Sequence, residues 1–222
     1  MLKEIFHCLY HAPHTLSLVK NLPRAQLYEK LMEKGEAIGM AEWRASLVND
    51  LQGLVLEIGC GTGLMFQYYP ENVKVVALEY DPEFLELAIP KAQKTYGRIR
   101  LIRADGEKLP LQSHIFDAVV IVLVLCSVSS TETVLGEVRR VLKPGGELRL
   151  IEHVRSPKPV SGFFMDLFNG LWLKINRHGC HMNRRTEELL QQNGFKLQIV
   201  RPFKILTPGI PSFPLRWMIA KP

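Results

Sequence analysis

One ten-residue stretch limits what this chain can fold into more than any other: Leu54-Val55-Leu56-Glu57-Ile58-Gly59-Cys60-Gly61-Thr62-Gly63. A short continuous apolar run, closed by an acid, reads as a buried parallel strand. Glycine at alternate positions then lets the backbone turn sharply into a following helix. Such a turn brings bare backbone N–H groups to a bound ligand. A dinucleotide is disfavoured. Its fingerprint asks for glycine or alanine three positions after the second glycine, where this chain has Leu64, and the extra glycine falls one residue earlier at Gly63. Glu57 would also repel a pyrophosphate, whereas a ligand bearing an ammonium and a sulfonium is drawn to it.

Beyond this stretch the chain alternates strand and helix, which predicts a parallel sheet with right-handed crossovers. The strands are expected at 54–58, 73–79, 100–103, 116–123 and 147–153, with helices over 63–69, 82–96 (kinked at Pro90) and 131–142. The last of these places Val134, Leu135, Val138 and Leu142 on one face, and Lys143-Pro144-Gly145-Gly146 ends it. A helix near 185–193 and strands near 196–200 and 216–220 complete an α/β, doubly wound, Rossmann-like seven-stranded sheet, mostly parallel with an antiparallel last strand, plus N-terminal helices.

The 222 residues suit one domain. It divides into an N-terminal helical lid (1–52, broken at Pro13 and near Pro23), a cofactor-binding core (53–154), a helical insertion (155–183) and a C-terminal helix with strands (184–222). Residues 2–10 place Leu2, Ile5, Phe6, Leu9 and Tyr10 at amphipathic helical spacing. The longest apolar run, Ala118–Cys126, is nine residues, short of the ~20 that span a bilayer.

The net charge of +6 is uneven: from Ile151 onward eleven Lys/Arg face four Asp/Glu, a net of +7 that leaves 1–150 near zero. That basic, aromatic last third suits an anionic lipid surface, an acidic substrate, RNA, or simply solvent. Cys8, Cys60, Cys126 and Cys180 lie far apart with no C-x-x-C pair, which fits free thiols in the cytoplasm. No metal-ligand spacing is convincing, and His178-Gly179-Cys180-His181 reads as a turn.

In a doubly wound sheet the ligand crosses the carboxyl ends of the strands where strand order reverses. Glu79 ends the second strand, where a carboxylate can accept both ribose hydroxyls. Asp105 and Gly106 follow the third strand, placed for an adenine amino group and ring nitrogen, and Val122 ends the fourth. Motif by motif, Glu57 to Gly63, Val75 to Asp81 with Glu79 and Tyr80, Asp105-Gly106-Glu107-Lys108-Leu109-Pro110, Phe116 to Val120, and Arg140 to Gly146 resemble the class I S-adenosylmethionine-dependent methyltransferases.

The resemblance covers about 54–154. It implies S-adenosyl-L-methionine as cofactor, held by Glu57, Gly59, Cys60, Gly61, Thr62, Gly63, Glu79, Tyr80, Asp105, Gly106 and Val122. Within that family, Leu125-Cys126-Ser127-Val128, Glu152-His153-Val154 and the run from Gly179 to Arg184 are similar to the membrane-associated alkyl thiol methyltransferases. Quinone-precursor and phosphatidylethanolamine methyltransferases share the core motifs.

A small-molecule or lipid-like acceptor follows, with thiol favoured. His153, at the end of the fifth strand, is the expected general base, with a structural histidine as its alternative. Cys126 and Cys60 are expected to pack. Phe163, Phe164, Phe168 and Trp172 are expected to wall an apolar acceptor channel, and Lys158, Lys174 and Arg177 bring its mouth to an anionic membrane surface. Nucleic acid is disfavoured as substrate: no Asn/Asp-Pro-Pro-aromatic sequence follows the fourth strand, and no Pro-Cys nucleophile is present. Competing readings are a non-catalytic binding module with an RNA or protein partner and, more weakly, a nicotinamide-dependent oxidoreductase.

Overall fold

The computed structural model describes residues 22–176, 179–205 and 212–222. The amphipathic stretch 2–10, Cys8, Pro13, Arg177 and His178 lie outside them. In chain order the elements are α1 (Arg24–Gly35), a kink (Glu36–Met40) where Ile38 and Gly39 leave helical geometry, α2 (Ala41–Val48), β1 (Leu54–Ile58), β2 (Lys74–Glu79), α3 (Pro82–Gln93), β3 (Ile99–Arg103) and β4 (Phe116–Val122). Then follow α4 (Thr131–Val141), β5 (Leu142–His153), α5 (Pro159–Ile175), α6 (Thr186–Gln192), β6 (Lys196–Phe203) and β7 (Leu215–Lys221).

The seven strands form one sheet in the order β3-β2-β1-β4-β5-β7-β6. β1 to β5 pair in parallel, and β7 runs antiparallel to both β5 and β6, so the last strand is the reversed one, as expected. Strand order turns back between β1 and β4, which opens the crevice at their carboxyl ends.

Side-chain alternation sorts the core into two layers. Val55, Val75, Ala118 and Val120 face α2 and α3 with Leu47, Val48 and Ala88. Leu56, Ile58, Val119 and Ile121 face α4 and α6 with Val134, Leu135, Val138 and Leu190. By this period Glu57 and Val122 point to the first layer, toward the N-terminal helices.

Helix starts follow their local chemistry. Asp81 caps α3 by accepting the Glu83 N–H at 3.0 Å, with Pro82 at the first helical position. Ser130 caps α4 by accepting the Thr133 N–H at 3.1 Å.

Three sequence expectations change. The helix over 63–69 is instead a run of turns at 61–68, tied by the Gly63 N–H to Cys60 O (2.9 Å) and the Tyr68 N–H to Met65 O (2.9 Å). Gly61 and Gly63 sit at φ +56° and +78°, outside helical geometry, so the helix cannot propagate from them. β5 begins at Leu142 rather than 147, because Leu142 pairs with Phe116 before an irregularity at Ala118.

The third change concerns α5, whose exposed face carries Phe163, Phe164, Leu167, Phe168 and Leu171 while Met165 and Gly162 face inward. Phe163, Phe164 and Phe168 therefore pack on one another at the surface, with centroids 5.7 and 6.2 Å apart, and do not wall a channel. Trp172 alone of the four turns inward, with its ring 5.1 Å from Phe213. The excursion carrying α5 closes at its neck, where the Arg155 N–H donates to Arg184 O at 2.8 Å. Among the described residues no helix is long and apolar enough to cross a membrane.

Candidate functional site

At the carboxyl ends of β1 and β4 lies a cavity lined by Tyr28, Arg44, Glu57, Gly59, Cys60, Thr62, Leu64, Met65 and Val122. Five of the expected ligand residues, Glu57, Gly59, Cys60, Thr62 and Val122, thus come together. Gly59 at φ +68° lets the chain turn off β1, and a Cβ there would sit 2.5 Å from Val124 Cγ2. A Cβ on Gly61 would project into the space before Tyr28 and Phe84, at 3.8 and 3.9 Å. Thr62 Oγ1 is buried without a hydrogen-bond partner. A buried hydroxyl in that condition suits a site completed by a polar ligand.

Glu57 is buried, and its Oε2 accepts the Tyr69 hydroxyl at 3.1 Å. Burial pushes its carboxyl up to about 7, against the opposing hydrogen bond from Tyr69 and the field of Arg44. Cys60 packs in the loop, where burial and the neighbouring acids raise its thiol well above the ordinary range, so it is inert as a nucleophile.

Glu79 lies on the rim. Its Oε2 accepts the Gly61 N–H and its Oε1 the Asp81 N–H, each at 2.9 Å. Asp105 follows β3 outside the cavity lining, is exposed and accepts the Glu107 N–H at 2.9 Å, and Tyr80 is exposed. Gly106 is buried, and a Cβ there would meet Ile58 Cγ2 at 3.0 Å. Gly63 faces Phe66 behind the loop. The 105–111 loop is held from α4: Glu137 Oε2 accepts the Leu109 N–H at 2.8 Å, and Arg140 donates to Leu109 O and Leu111 O.

His153 stands apart from the cavity lining. Its Nδ1 is 3.5 Å from Cys180 Sγ, and its ring meets Phe213 edge-on at 5.6 Å. Cys126 is buried as expected, but Cys180 Sγ also reaches to 3.3 Å from its sulfur.

Sequence reasoning missed Arg44 and Tyr28. Arg44, 3% exposed, has its Nε on Glu36 Oε1 at 2.7 Å, and Glu36 Oε2 accepts the Tyr68 hydroxyl at 2.6 Å. The available signal was position: Arg44 lies four residues after Met40 and three before Leu47, a cation on the apolar stripe of α2. A carboxylate and a guanidinium lining one cavity suit the ammonium and carboxylate of a free amino acid moiety.

Residues 56–150 match the model of a methyltransferase domain. The thiol S-methyltransferase TMT1B of Rattus norvegicus is 36% identical over 83% of this chain and 78% of its own. The ubiquinone/menaquinone biosynthesis C-methyltransferase UbiE of Syntrophotalea carbinolica is 29% identical over 87% of this chain and 76% of its own. An S-adenosylmethionine-dependent methyltransferase of Mesorhizobium loti shares the fold, with a TM-score of 0.62 at 19% identity over 83% of this chain and 99% of that one. The glycine loop, its acid, the acid ending β2 and these likenesses agree: the chain is an enzyme that uses S-adenosyl-L-methionine and belongs to the class I S-adenosylmethionine-dependent methyltransferases.

Proposed function

We propose that this enzyme methylates the sulfur of a small, largely apolar thiol. The observation that carries this reading is the extent of the likeness to the thiol S-methyltransferase of the rat: at 83% of this chain it must run past the 56–150 core. The cofactor supplies an electrophilic methyl on a cationic sulfur. In this reading Glu57 and Arg44 hold its amino-acid end, Glu79 its ribose, and Asp105 and Gly106 its adenine. The turn from Gly59 to Gly63 gives it close backbone approach, and Tyr80 flanks the rim.

Val122 lines that pocket at the end of β4, and the acceptor end is assigned to Trp172, Phe213 and His153, which form a contiguous aromatic contact. Lining up nucleophile, methyl and leaving sulfur accounts for most of such a rate enhancement, up to about 7–11 kcal/mol. Purified protein incubated with adenosylmethionine and a panel of alkyl thiols, amines, phenols and quinols tests the reading. Methyl thioether and adenosylhomocysteine from the thiols are expected. Turnover of amines or quinols with none of thiols would overturn the thiol assignment.

A peripheral place on an anionic membrane is the second part of the proposal. Exposed Phe163, Phe164, Leu167, Phe168 and Leu171 share α5 with exposed Lys158 at its start and Lys174 in its last turn, the layout of a helix lying in a lipid interface. Flotation with phosphatidylserine vesicles at low salt is expected, and Phe164→Ser with Phe168→Ser should abolish it. Protein that stays in solution would overturn the membrane part of the proposal.

A further inference from the structure

Three ligating side chains meet at the carboxyl edge of the sheet. Cys126 follows β4, His153 is the last residue of β5, and Cys180 lies in the turn after α5. Cys180 Sγ is 3.3 Å from Cys126 Sγ and 3.5 Å from His153 Nδ1, and the ligating atoms of all three lie within 4.8 Å of one another.

Each is held from behind. Buried Glu152 accepts the N–H groups of Val124 and Leu125 at 2.8 Å and of Cys126 at 3.3 Å, which fixes the turn that carries the first sulfur. Asn176 grips Cys180 on both sides, its Oδ1 accepting the Cys180 N–H at 3.0 Å and its Nδ2 donating to Cys180 O at 2.7 Å. The His181 N–H donates to Cys126 O at 2.8 Å and stitches the two cysteine segments together. His153 is fixed by its strand pairing with Leu215. These bonds hold the backbone that carries both sulfurs, so the three ligating atoms converge without any change of fold.

We infer that Cys126, Cys180 and His153 bind one thiophilic divalent cation of the zinc class, and that its fourth position takes the acceptor sulfur. Tetrahedral coordination with metal–sulfur bonds of about 2.3 Å and metal–nitrogen bonds of about 2.0–2.1 Å separates two sulfurs by about 3.8 Å, and sulfur from nitrogen by about 3.5 Å. The distance from Cys180 sulfur to His153 nitrogen already matches, and the two sulfurs need to part by only about half an ångström. Two thiolates and a neutral imidazole cancel the charge of the ion, as its placement beside buried Cys126 requires. Three protein ligands leave one position open, the arrangement of reactive rather than purely structural sites.

The cluster lies at the same edge of the sheet as the cofactor cavity: Val122, which lines the cavity, ends β4, and Cys126 follows four residues later. The fourth-ligand part rests on the thiol reading above. An incoming thiol displaces the water on the ion and forms a metal–sulfur bond, and its proton passes to bulk water. A metal-bound thiol is deprotonated outright, so His153 serves as a ligand, and the deprotonation expected of it falls to the cation.

The test uses the full chain, kept reduced, stripped with a chelator and titrated with Co²⁺ alone. One equivalent should bind, with a thiolate-to-cobalt charge-transfer band in the near ultraviolet and intense tetrahedral d–d bands, and Zn²⁺ should displace it. Asn176→Ala should weaken binding about 10–100-fold. Cys180→Ser, at a half-buried position checked for folding by circular dichroism, should remove most of the charge-transfer intensity. A wild-type spectrum lacking that band, or unchanged in folded Cys180→Ser, overturns the site.

Adding a short alkyl thiol should shift the d–d bands, while the matching alcohol should not; no shift with thiol overturns the fourth-ligand assignment. Full thiol turnover by metal-stripped protein overturns the role of the ion and leaves the thiol methyltransferase reading intact. A thiol-responsive cobalt spectrum in protein that methylates no thiol upholds the site and removes the thiol reading.

Discussion

Glu79 closes the glycine loop on itself: its Oε2 accepts the Gly61 N–H at 2.9 Å across eighteen residues of chain. Its other oxygen accepts the Asp81 N–H at 2.9 Å, so the carboxylate that suits a ribose also shapes the loop beneath it. Glu79→Gln keeps the size but turns one acceptor into a donor that faces a backbone N–H. Losing a charge-assisted bond costs about 1.5–3 kcal/mol, so affinity for adenosylhomocysteine should fall roughly ten- to a hundredfold by calorimetric titration. Unchanged affinity in folded Glu79→Gln would exclude Glu79 from the ligand site.

Glu57 makes stability depend on pH in the unusual direction for an acid. Burial raises its folded-state pKa from the ordinary 4.5 to about 7. Between those values the folded protein holds a proton that the unfolded chain has lost, so stability falls as pH rises and levels off above about 7. The full change is about 3 kcal/mol at 1.36 kcal/mol per pH unit. Urea unfolding from pH 4.5 to 8 should show a steeper fall in wild type than in Glu57→Gln, because buried Glu152, whose carboxyl burial also raises, contributes alike to both. Adenosylhomocysteine, whose ammonium favours the ionised carboxylate, should bind more tightly as pH rises toward 7, by up to about tenfold per unit. A flat binding profile would contradict that placement of the ammonium.

The Glu36–Arg44 pair separates folding from binding. Arg44 is almost wholly buried, and its Nε rests on Glu36. Glu36→Ala strands that cation and should cost about 3–5 kcal/mol by thermal or urea unfolding. Adding Arg44→Met should recover much of the stability while leaving affinity for adenosylhomocysteine low. Recovered affinity in the double variant would show that Arg44 takes no part in holding the ligand.

Gly59→Ala tests the turn at the end of β1. The left-handed backbone costs about 1–2 kcal/mol with a side chain, and the contact with Val124 adds about 1–3 kcal/mol. Val124→Ala in the same chain removes the methyls that a Cβ would strike, so it should return the second part and not the first. Full recovery on unfolding would mean that the backbone angle carries no cost.

What the sequence disclosed was whatever depended on neighbours in the chain. The apolar run into Gly59, the helix start at Asp81-Pro82 and the face of α4 rest on short-range patterns, and they stand where the pattern puts them. The run of turns at 61–68 escaped because an apolar stretch there reads equally as helix, and only the positive φ of Gly61 and Gly63 decides against it. The sulfur cluster was out of reach for another reason. Cys126 and Cys180 are fifty-four residues apart, and their meeting depends on the path of α5 across the edge of the sheet. Arg44 was legible only as a charge on the wrong side of a helix, a sign that means little until Glu57 is seen to line the same cavity.

The neck at Arg155 and Arg184 has an evolutionary consequence. Because the chain leaves and returns at one hydrogen bond, the segment between is an exchangeable cassette, carrying α5, Trp172 and Cys180 but none of the residues assigned to the methyl donor. Insertions or replacements there leave the strand order untouched and cost little in loop closure. Descendants of one ancestral scaffold can therefore drift from one acceptor to another by rewriting this stretch alone.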